Sequence, residues 1–290
     1  MDEKIDMDWI QGNKFMEMAD FTFSPPSKFM DDYYDLPNTL DENKLKERNI
    51  VFTTPFYAKS LMENIEQVDN EFIVVTHNGD NEVNDSGVGY MDGRGNYIRT
   101  DEFIIPSCVI KWYATNVNTL NPKIEAIPSG LENDRWHVEQ RKKERMGETW
   151  QLPRNIRNLV YVDFSTTWNI GERKRIYSLL EDKPWVTAFH DGANFERFLD
   201  NVYNHKFVVC PRGNGIATHR EWETLYMGSI PIQKRDFNNR FFTELPICFV
   251  DDWAEVTEGF LNSEYERIKN TRWNMEMLTF EYWKNKILNL

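Results

Sequence analysis

The stretch from residue 206 to 233 constrains the fold most, because it reads as a strand, a glycine loop, a helix and a second strand. Its sequence is KFVVCPRGNGIATHREWETLYMGSIPIQ. Residues 207–210 form a short apolar run typical of a buried parallel strand, and Pro211 ends it. The glycines of the RGNG loop (212–215) allow unusual dihedral angles and close approach of a ligand to the backbone. Strand–helix–strand units of this kind indicate an α/β protein with a parallel sheet.

The helix of this unit has sequence signals at both ends. Thr218 is predicted to begin it, with Glu221 completing a capping box three residues later. Gly228 is predicted to end it, and residues 230–232 then form the next strand. A helix that begins behind a glycine loop suits an anion, because its free N–H groups and its dipole both favour negative charge.

Two charged residues of this helix suggest the ligand. Arg220 and Glu223 lie three positions apart, on a different face from the apolar Trp222, Leu225 and Tyr226, which should face the core. Arg220 suits a diphosphate, and Glu223 can accept two hydrogen bonds from ribose hydroxyls. A nucleotide diphosphate fits this pattern. The alternative is a structural glycine loop with a solvated Arg–Glu pair.

Two segments of the chain resemble a known family. The segments CPRGNGIATHREWETLYMGSIPI (210–232) and ICFVDDWAEV (247–256) resemble the signature of exostosin-like glycosyltransferases. The resemblance is strong over residues 160–260 and faint before them, and it is closest to members from large viruses of algae. Ala217 stands where the family often has Asp, so no role is carried over for that carboxylate.

The resemblance implies a fold and a reaction. The fold is the GT-B type, α/β with two Rossmann-like domains facing a cleft, in which the C-terminal domain binds the nucleotide and the N-terminal domain mainly the acceptor. The reaction is transfer of a sugar, with inversion, from a UDP-sugar to a hydroxyl of an oligosaccharide or glycoprotein glycan. UDP-xylose is the favoured donor, ahead of UDP-glucuronic acid and UDP-galactose, and a fucose-containing glycan would fit a viral relative.

The rest of the chain permits this architecture. Its 290 residues suffice for two α/β domains, and a boundary near residues 152–154 predicts domains 1–153 and 154–290. Residues 1–48 are expected to be a polar lead segment with little regular structure, and the tail 264–290 to be helical and to cross back to the first domain. Strands are expected at 50–53, 72–76, 109–114, 123–127, 159–164, 186–190, 207–210, 230–232 and 247–250, and helices at 57–68, 137–147, 172–180 and 195–204.

The general base should come from the N-terminal domain. His77 and Asp80 follow the strand 72–76, and the carboxyl ends of parallel strands are where open α/β sheets bind ligands. His77 titrates near neutrality, whereas Asp80 would need a pKa raised by burial; either could instead be a structural turn residue. Asn116, Trp136 and His137 also follow such elements. The basic run 141–145 is expected to be a solvated face, with a glycan contact as the alternative.

Cationic groups should stabilise the leaving diphosphate. Arg212, Arg220 and the amides of Gly213 and Gly215 are predicted for this role. Arg173 is a weaker candidate, since it could merely decorate a helix. The predicted nucleotide-sugar site also includes Ser165, Asn214, Thr218, His219 and Glu223.

No metal or other cofactor is expected. Asp251–Asp252 lacks the DxD spacing of metal-dependent transferases and reads better as a helix N-cap. His219 and Glu223 form an HxxxE pattern with no third ligand nearby. Asp31–Asp32 reads as a solvated polar loop. The three cysteines are far apart, which indicates a reducing compartment and argues against zinc.

Charge and hydropathy limit the partners. The net charge of −13 disfavours nucleic acid and anionic membranes. No signal peptide or apolar run of ~20 residues is visible, so the chain is expected to be soluble, without a membrane anchor, and cytoplasmic, in the host cytoplasm if viral. The oligomeric state is left open.

Two other functions stay open. A dinucleotide oxidoreductase would use Gly213 and Gly215, although Thr218 takes the third glycine position and Asp236 only loosely matches the expected acid. A non-catalytic glycan- or nucleotide-binding relic of the fold is suggested by Ala217.

Overall fold

The computed structural model describes residues 8–25, 36–91, 97–134, 137–190 and 195–290. Asp31, Asp32 and Trp136 lie outside these residues, as does the side chain of His137. The strands are β1 (Phe21–Thr22), β2 (Arg48–Thr53), β3 (Glu71–Thr76), β4 (Glu82–Asn84), β5 (Gly87–Met91), β6 (Tyr97–Glu102), β7 (Val109–Ala114), β8 (Ile124–Ala126), β9 (Asn158–Asp163), β10 (Val186–Phe189), β11 (His205–Val209), β12 (Ile230–Lys234) and β13 (Cys248–Val250). The helices are α1 (Gly12–Met18), α2 (Ala58–Ile65), α3 (His137–Trp150), α4 (Ile170–Leu180), α5 (Phe195–Tyr203), α6 (His219–Tyr226), α7 (Glu258–Lys269) and α8 (Phe280–Leu288).

The first five-stranded sheet, called the N-terminal sheet, has the order β1-β2-β3-β7-β8. Every neighbouring pair in it is parallel, with Ile50 opposite Ile73 and Phe72 opposite Val109. Its central strands are buried along nearly their whole length. This burial explains why they read as continuous apolar runs instead of alternating polar and apolar residues.

The second five-stranded sheet, called the C-terminal sheet, has the order β10-β9-β11-β12-β13 and is also parallel throughout. The chain therefore moves outward from β9 to β10, then returns to place β11 on the other side of β9. Helices α4, α5 and α6 make the first three crossovers. The predicted α/β class with two Rossmann-like parallel sheets is confirmed.

Two parts of the N-terminal region differ from expectation. The lead segment is more regular than predicted, because it contains α1 and β1; Phe15 of α1 is fully buried, which holds the helix in place. The strands β4, β5 and β6 form a small antiparallel sheet that was not predicted. It is inserted between β3 and β7 and brings Glu82 to the carboxyl edge of the N-terminal sheet.

The C-terminal tail crosses back to the N-terminal sheet, as predicted. Phe280 at the start of α8 packs edge-on against Phe15, with ring centroids 5.1 Å apart. Lys286 near the end of α8 forms an ion pair with Glu125 of β8. One hydrophobic cluster runs through the N-terminal sheet, one face of the C-terminal sheet and α8, and a second cluster fills the other face of the C-terminal sheet. No helix in the described ranges combines the length and apolar character needed to cross a lipid bilayer.

Candidate active site

The RGNG loop (212–215) lies where the C-terminal sheet reverses its strand order, between the carboxyl ends of β9 and β11. Crevices at such reversal points are where open α/β sheets bind ligands. The loop glycines allow close approach of neighbouring side chains and are not needed for unusual dihedral angles, because neither has a positive φ. A Cβ at Gly213 would lie 3.2 Å from Nη2 of Arg173, and a Cβ at Gly215 would lie 2.8 Å from Oδ1 of Asn116. The predicted dihedral role of these glycines is therefore wrong, whereas close approach is real.

Helix α6 begins where predicted, but its N-terminus is built differently. Thr218 is the N-cap residue, yet its side chain caps no backbone N–H, and its buried Oγ1 has no partner in the described part of the chain. Glu221 is buried and accepts a hydrogen bond from Gln233 of β12. The predicted capping box is therefore wrong, because a tertiary partner holds Glu221. Trp222, Leu225 and Tyr226 are all buried, as predicted, and Gly228 ends the helix with a φ of 72°.

Arg173 of α4 is buried and holds the RGNG loop in place through hydrogen bonds to backbone carbonyl oxygens. Only 9% of it is exposed. Its Nε donates to the carbonyl oxygen of Arg212 (3.0 Å), and its Nη1 donates to that of Ser165 (2.6 Å). Burial and, to a smaller extent, the nearby Arg220 lower the pKa of Arg173 to about 10. The alternative of a surface decoration is wrong, and the structure brings Arg173, Arg220 and the exposed Ser165 together.

Arg220 projects from the first turn of α6 toward α5. Its guanidinium lies 4.6 Å from the ring centroid of Phe198, a cation–π contact. Its buried Nη1 has no hydrogen-bond partner among the described residues. A guanidinium held in place by an aromatic ring, with donor capacity left over, is suited to a phosphate oxygen.

Glu223 lies one turn further along α6 and is only 8% exposed, so it is not part of a solvated surface pair. Its Oε1 lies 3.9 Å from Nζ of Lys142, which also sits 4.8 Å above the ring of Phe195. Lys142 and Lys143 belong to the basic run of α3, and their side chains are mostly buried. The predicted solvated face is therefore wrong for these two lysines, because α3 packs against α5 and the start of α6.

His77 follows β3 and is 4% exposed. The backbone N–H of Asn78 donates to its Nδ1 (2.6 Å), and its Nε2 lies 3.0 Å from the carbonyl oxygen of Pro128. These contacts fit a neutral ring that donates from Nε2 and accepts at Nδ1. Burial lowers the pKa of His77 to about 4. Both ring nitrogens are occupied, so the geometry gives His77 a structural role and leaves Asp80 as the stronger candidate for general base.

Asp80 lies three residues further on and is exposed, so the expected burial of its carboxylate is not found. Its Oδ2 accepts a hydrogen bond from Nδ2 of Asn214 in the RGNG loop, at 3.1 Å. The loop after β3 and the RGNG loop therefore meet, and the two predicted residues lie side by side. A carboxylate that reaches this loop from the opposite sheet is placed to accept a proton from a ligand bound between them.

His219, the first residue of α6, is tied to the N-terminal region by both ring nitrogens. Nδ1 contacts the carbonyl oxygen of Gly130 (2.8 Å), and Nε2 contacts Glu132 (3.2 Å). Partial burial opposes the charged ring, but the bond to Glu132 outweighs it and raises the pKa of His219 to about 9. The same bond lowers the pKa of Glu132 to about 2. Because 39% of the His219 side chain is exposed, solvent weakens this ion pair.

Two further contacts join the loop to the N-terminal sheet. Arg212 forms an ion pair with the fully buried Glu82, and the backbone N–H of Ala217 donates to Oδ1 of Asn116 (2.8 Å). Residue 217 thus contributes a backbone donor here, where the family often has a carboxylate. Sequence reasoning missed Glu82, Glu132 and Lys142. Glu82 and Glu132 carry no local signal, whereas Lys142 lies in a basic run that was read as solvated.

Asp252, one of the two adjacent acids that could suggest a metal site, has structural partners. Asp252 caps the turn Trp253–Glu255 through a capping box, which confirms the predicted N-cap, and it pairs with Arg175 (2.7 Å). Within the described part of the chain, no group of three or more His, Cys, Asp or Glu side chains could hold a metal ion. The metal-free mechanism remains a prediction.

No protein-family model and no curated protein match the chain. Among solved structures, the chain is similar to the pneumococcal O-GlcNAc transferase GtfA in complex with UDP and GlcNAc, with 10% identity and a TM-score of 0.37. It is also similar to a glycosyltransferase from Rickettsia africae ESF-5, with 11% identity and a TM-score of 0.35. These likenesses cover 83% and 82% of this chain, and 56% and 76% of the other two. Because both TM-scores lie below 0.5, the α/β assignment rests on the chain's own two parallel sheets.

Proposed function

We propose that this chain is a glycosyltransferase that moves a sugar from a UDP-sugar to an acceptor hydroxyl. One observation carries the proposal: groups suited to a diphosphate, a ribose and a proton acceptor converge on one glycine loop. Arg173 and Arg220 supply positive charge, Glu223 supplies a buried carboxylate, and Asp80 reaches the loop from the other sheet.

The arrangement suggests how the reaction proceeds. The diphosphate lies at the N-terminus of α6, where Arg220 and the loop amides stabilise the charge that develops on the leaving group. Glu223 holds the ribose hydroxyls. Asp80 takes the proton from the acceptor hydroxyl as that oxygen attacks the anomeric carbon from the face opposite the diphosphate, which inverts the configuration.

The finer assignments rest on the sequence resemblance. They comprise the exostosin-like family, the GT-B architecture, a viral relationship, uracil as the base and xylose as the transferred sugar. The proposed cytoplasmic location rests instead on the three widely spaced cysteines, which indicate a reducing compartment. Two parallel sheets that meet at their carboxyl edges are compatible with GT-B. A mechanism without metal is supported by Arg173 and Arg220, which supply the charge that a divalent cation would otherwise bring.

A dinucleotide oxidoreductase is the second candidate, because of where Asp236 lies. It follows β12, the parallel neighbour of β11, at the carboxyl edge of the sheet. In dinucleotide-binding folds an acid near this position binds the ribose. However, Oδ1 of Asp236 already accepts backbone hydrogen bonds from Asn238 (2.8 Å) and Asn239 (2.7 Å).

A thermal-shift screen tests the proposal. The protein is heated with UDP, UDP-xylose, UDP-glucose, GDP-sugars and NAD, each with EDTA or with manganese. A ligand that binds only the native state raises Tm with its occupancy. We expect a shift with UDP and at least one UDP-sugar, equal in EDTA and manganese. A shift with NAD alone would establish the oxidoreductase, a shift that requires manganese would overturn the metal-free mechanism, and no shift would favour the non-catalytic relic.

A further inference from the structure

A second site lies beside the RGNG loop, between the carboxyl ends of β11 and β12. It is a cavity of about 190 Å³, lined by Glu172 of α4 and by residues of the loop, α6, β12 and the segment after β12. Pockets that hold drug-sized ligands typically measure about 300–1,000 Å³. A nucleotide is therefore too large for this cavity, whereas a single sugar ring has the right scale.

The wall of the cavity contains an unpaired buried acceptor. Gln233 is only 5% exposed and donates from Nε2 to Glu221. Its buried Oε1 has no hydrogen-bond partner among the described residues. Native proteins rarely leave a buried polar atom unpaired, because its lost hydration is costly. A ligand hydroxyl would supply the missing donor.

The acids of the cavity differ in protonation. Burial and, to a smaller extent, the nearby Asp236 raise the pKa of Glu221 to about 8, so Glu221 mostly holds its proton at neutral pH. Asp236 is exposed as a residue, but desolvation of its carboxyl raises the pKa of Asp236 to about 6, so it is mostly ionised there. The wall thus offers one acid that can donate, one carboxylate that can accept and an unpaired amide oxygen, a combination that suits a neutral ligand with several hydroxyls.

The charged side chains around the cavity are of both signs. Arg212 is already paired with the buried Glu82. Arg235 lies over the ring of Phe249 (5.1 Å) and pairs with Asp251 (3.5 Å). Lys234 and Glu172 also line the cavity, so its charge is mixed and does not select an anion.

We propose that this cavity, called the hydroxyl pocket and defined by Gln233, Glu221 and Asp236, binds one neutral sugar ring through its hydroxyls. The inference rests on the proposed function, which supplies two sources for the ring: the sugar of the donor or the terminal sugar of the acceptor. In both cases the chemistry is the same, with Gln233 and Asp236 accepting from ring hydroxyls and Glu221 donating to a ring oxygen atom.

Two variants test the proposal, Gln233→Leu and Asp236→Asn, with Glu266→Gln on the exposed face of α7 as the matched control. Calorimetry gives Kd for UDP, UDP-xylose and UDP-glucose. Saturation-transfer NMR reports binding of D-xylose, D-glucose and L-fucose, with and without UDP. Melting curves show which variants fold, and one folded variant is enough to test the proposal.

The two sources give different results. If the donor sugar fills the pocket, the advantage of the UDP-sugar over UDP falls about fivefold in the variants, the factor for one lost hydrogen bond, while UDP itself binds normally. If the acceptor sugar fills it, the donor constants stay unchanged and the monosaccharide signal falls by a similar factor. The control should match wild type in both experiments.

Three outcomes distinguish a failure of the pocket proposal from a failure of the proposed function. Folded variants with wild-type constants and wild-type NMR signals would overturn the pocket while leaving the transferase proposal intact. If Asp236→Asn lost affinity for NAD alone, Asp236 would be a dinucleotide ribose contact and both proposals would fall. A wild-type protein that ignores UDP would remove the proposed function, and the monosaccharide titration would still decide whether the pocket binds sugars.

Discussion

The two five-stranded sheets share the same parallel pairing but differ in strand order. The N-terminal sheet follows the chain from β1 through β2, β3 and β7 to β8, whereas the C-terminal sheet begins at β9 and then extends in both directions. A crevice opens at the carboxyl edge only where the strand order reverses, because the helices that follow the two adjacent strands then lie on opposite faces of the sheet. The difference supports the proposed placement of the nucleotide on the C-terminal sheet, with the N-terminal sheet supplying residues that reach across.

The largest expected effect is on kcat and comes from Asp80, which reaches the site from the N-terminal sheet. Asp80→Asn should lower kcat by about 10²–10⁴-fold, the usual contribution of a general base, and leave the Kd for UDP unchanged. Steady-state kinetics and calorimetry on the same preparation measure both. Asp69→Asn, an exposed acid at the opposite end of β3, is the control. Wild-type kcat in Asp80→Asn would remove Asp80 from the chemistry.

The reverse pattern is expected for Arg220 on the C-terminal side. Arg220→Ala should raise the Kd for UDP about 10–100-fold, because it removes charge-assisted hydrogen bonds to the diphosphate. Uridine, which has no phosphate, should bind as it does to wild type. Arg267→Ala on α7 removes a surface arginine as the control. Equal losses for UDP and uridine would show that Arg220 supports the fold of the site and does not contact phosphate.

Glu223 should behave differently from its neighbour on α6. Glu223→Ala should raise the Kd for UDP and for uridine by the same factor, about tenfold, because both ligands carry the ribose. Glu266→Ala tests a matched acid on α7. Calorimetry with the two ligands distinguishes this pattern from that of Arg220, and unchanged affinity for uridine would exclude Glu223 from the ribose site.

The pH dependence of the unfolding free energy tests one buried titratable group on each side of the site. The first is Glu221 of α6. Its folded pKa lies above the ordinary value of about 4.5, so the native state keeps a proton that the unfolded chain releases. Stability should therefore fall as pH rises from about 5 through 8. Urea unfolding at several pH values should show that Glu221→Gln loses this fall; an identical pH dependence in the two proteins would contradict it.

His77 should give the opposite slope, with a smaller effect. Its folded pKa of about 4 lies below the ordinary value of about 6.5, so the unfolded chain binds the extra proton. Stability should rise with pH between about 4 and 6.5, and His77→Gln should flatten that rise. The variant should also cost about 1–3 kcal/mol, since it disturbs bonds to Asn78 and Pro128. A large loss of kcat with unchanged stability would instead return His77 to the list of candidate bases.

Local patterns in the sequence were sufficient to predict the buried strands and the buried face of α6. The apolar runs 72–76 and 207–210 predicted buried strands, because a strand covered on both faces needs no polar alternation. The spacing of Trp222, Leu225 and Tyr226 predicted the buried face of α6 for a similar reason: its period matches the helical turn. These signals act over a few residues, so one chain carries them without any alignment.

The cross-sheet contacts could not be predicted in this way. Glu82 and Arg212 are 130 positions apart, and no local pattern pairs them. Glu221 shows how such partners override local rules: its spacing from Thr218 fits a capping box, yet Gln233 on the neighbouring strand holds its side chain. The sequence therefore places Glu221 in α6 but does not identify the strand that holds its side chain.

Tyr226 ends α6 far from the RGNG loop, and its hydroxyl joins both ends of the described chain. It accepts a hydrogen bond from the backbone N–H of Ile10 (3.1 Å) and donates to the carbonyl oxygen of Leu278 (3.0 Å). Helix α6 is thus pinned at one end and carries the ligand-facing loop at the other. Because Tyr226 ties one end of α6 to Ile10 and Leu278 while His219 ties the other end to Glu132, this helix acts as a strut that fixes the position of the ligand-facing loop.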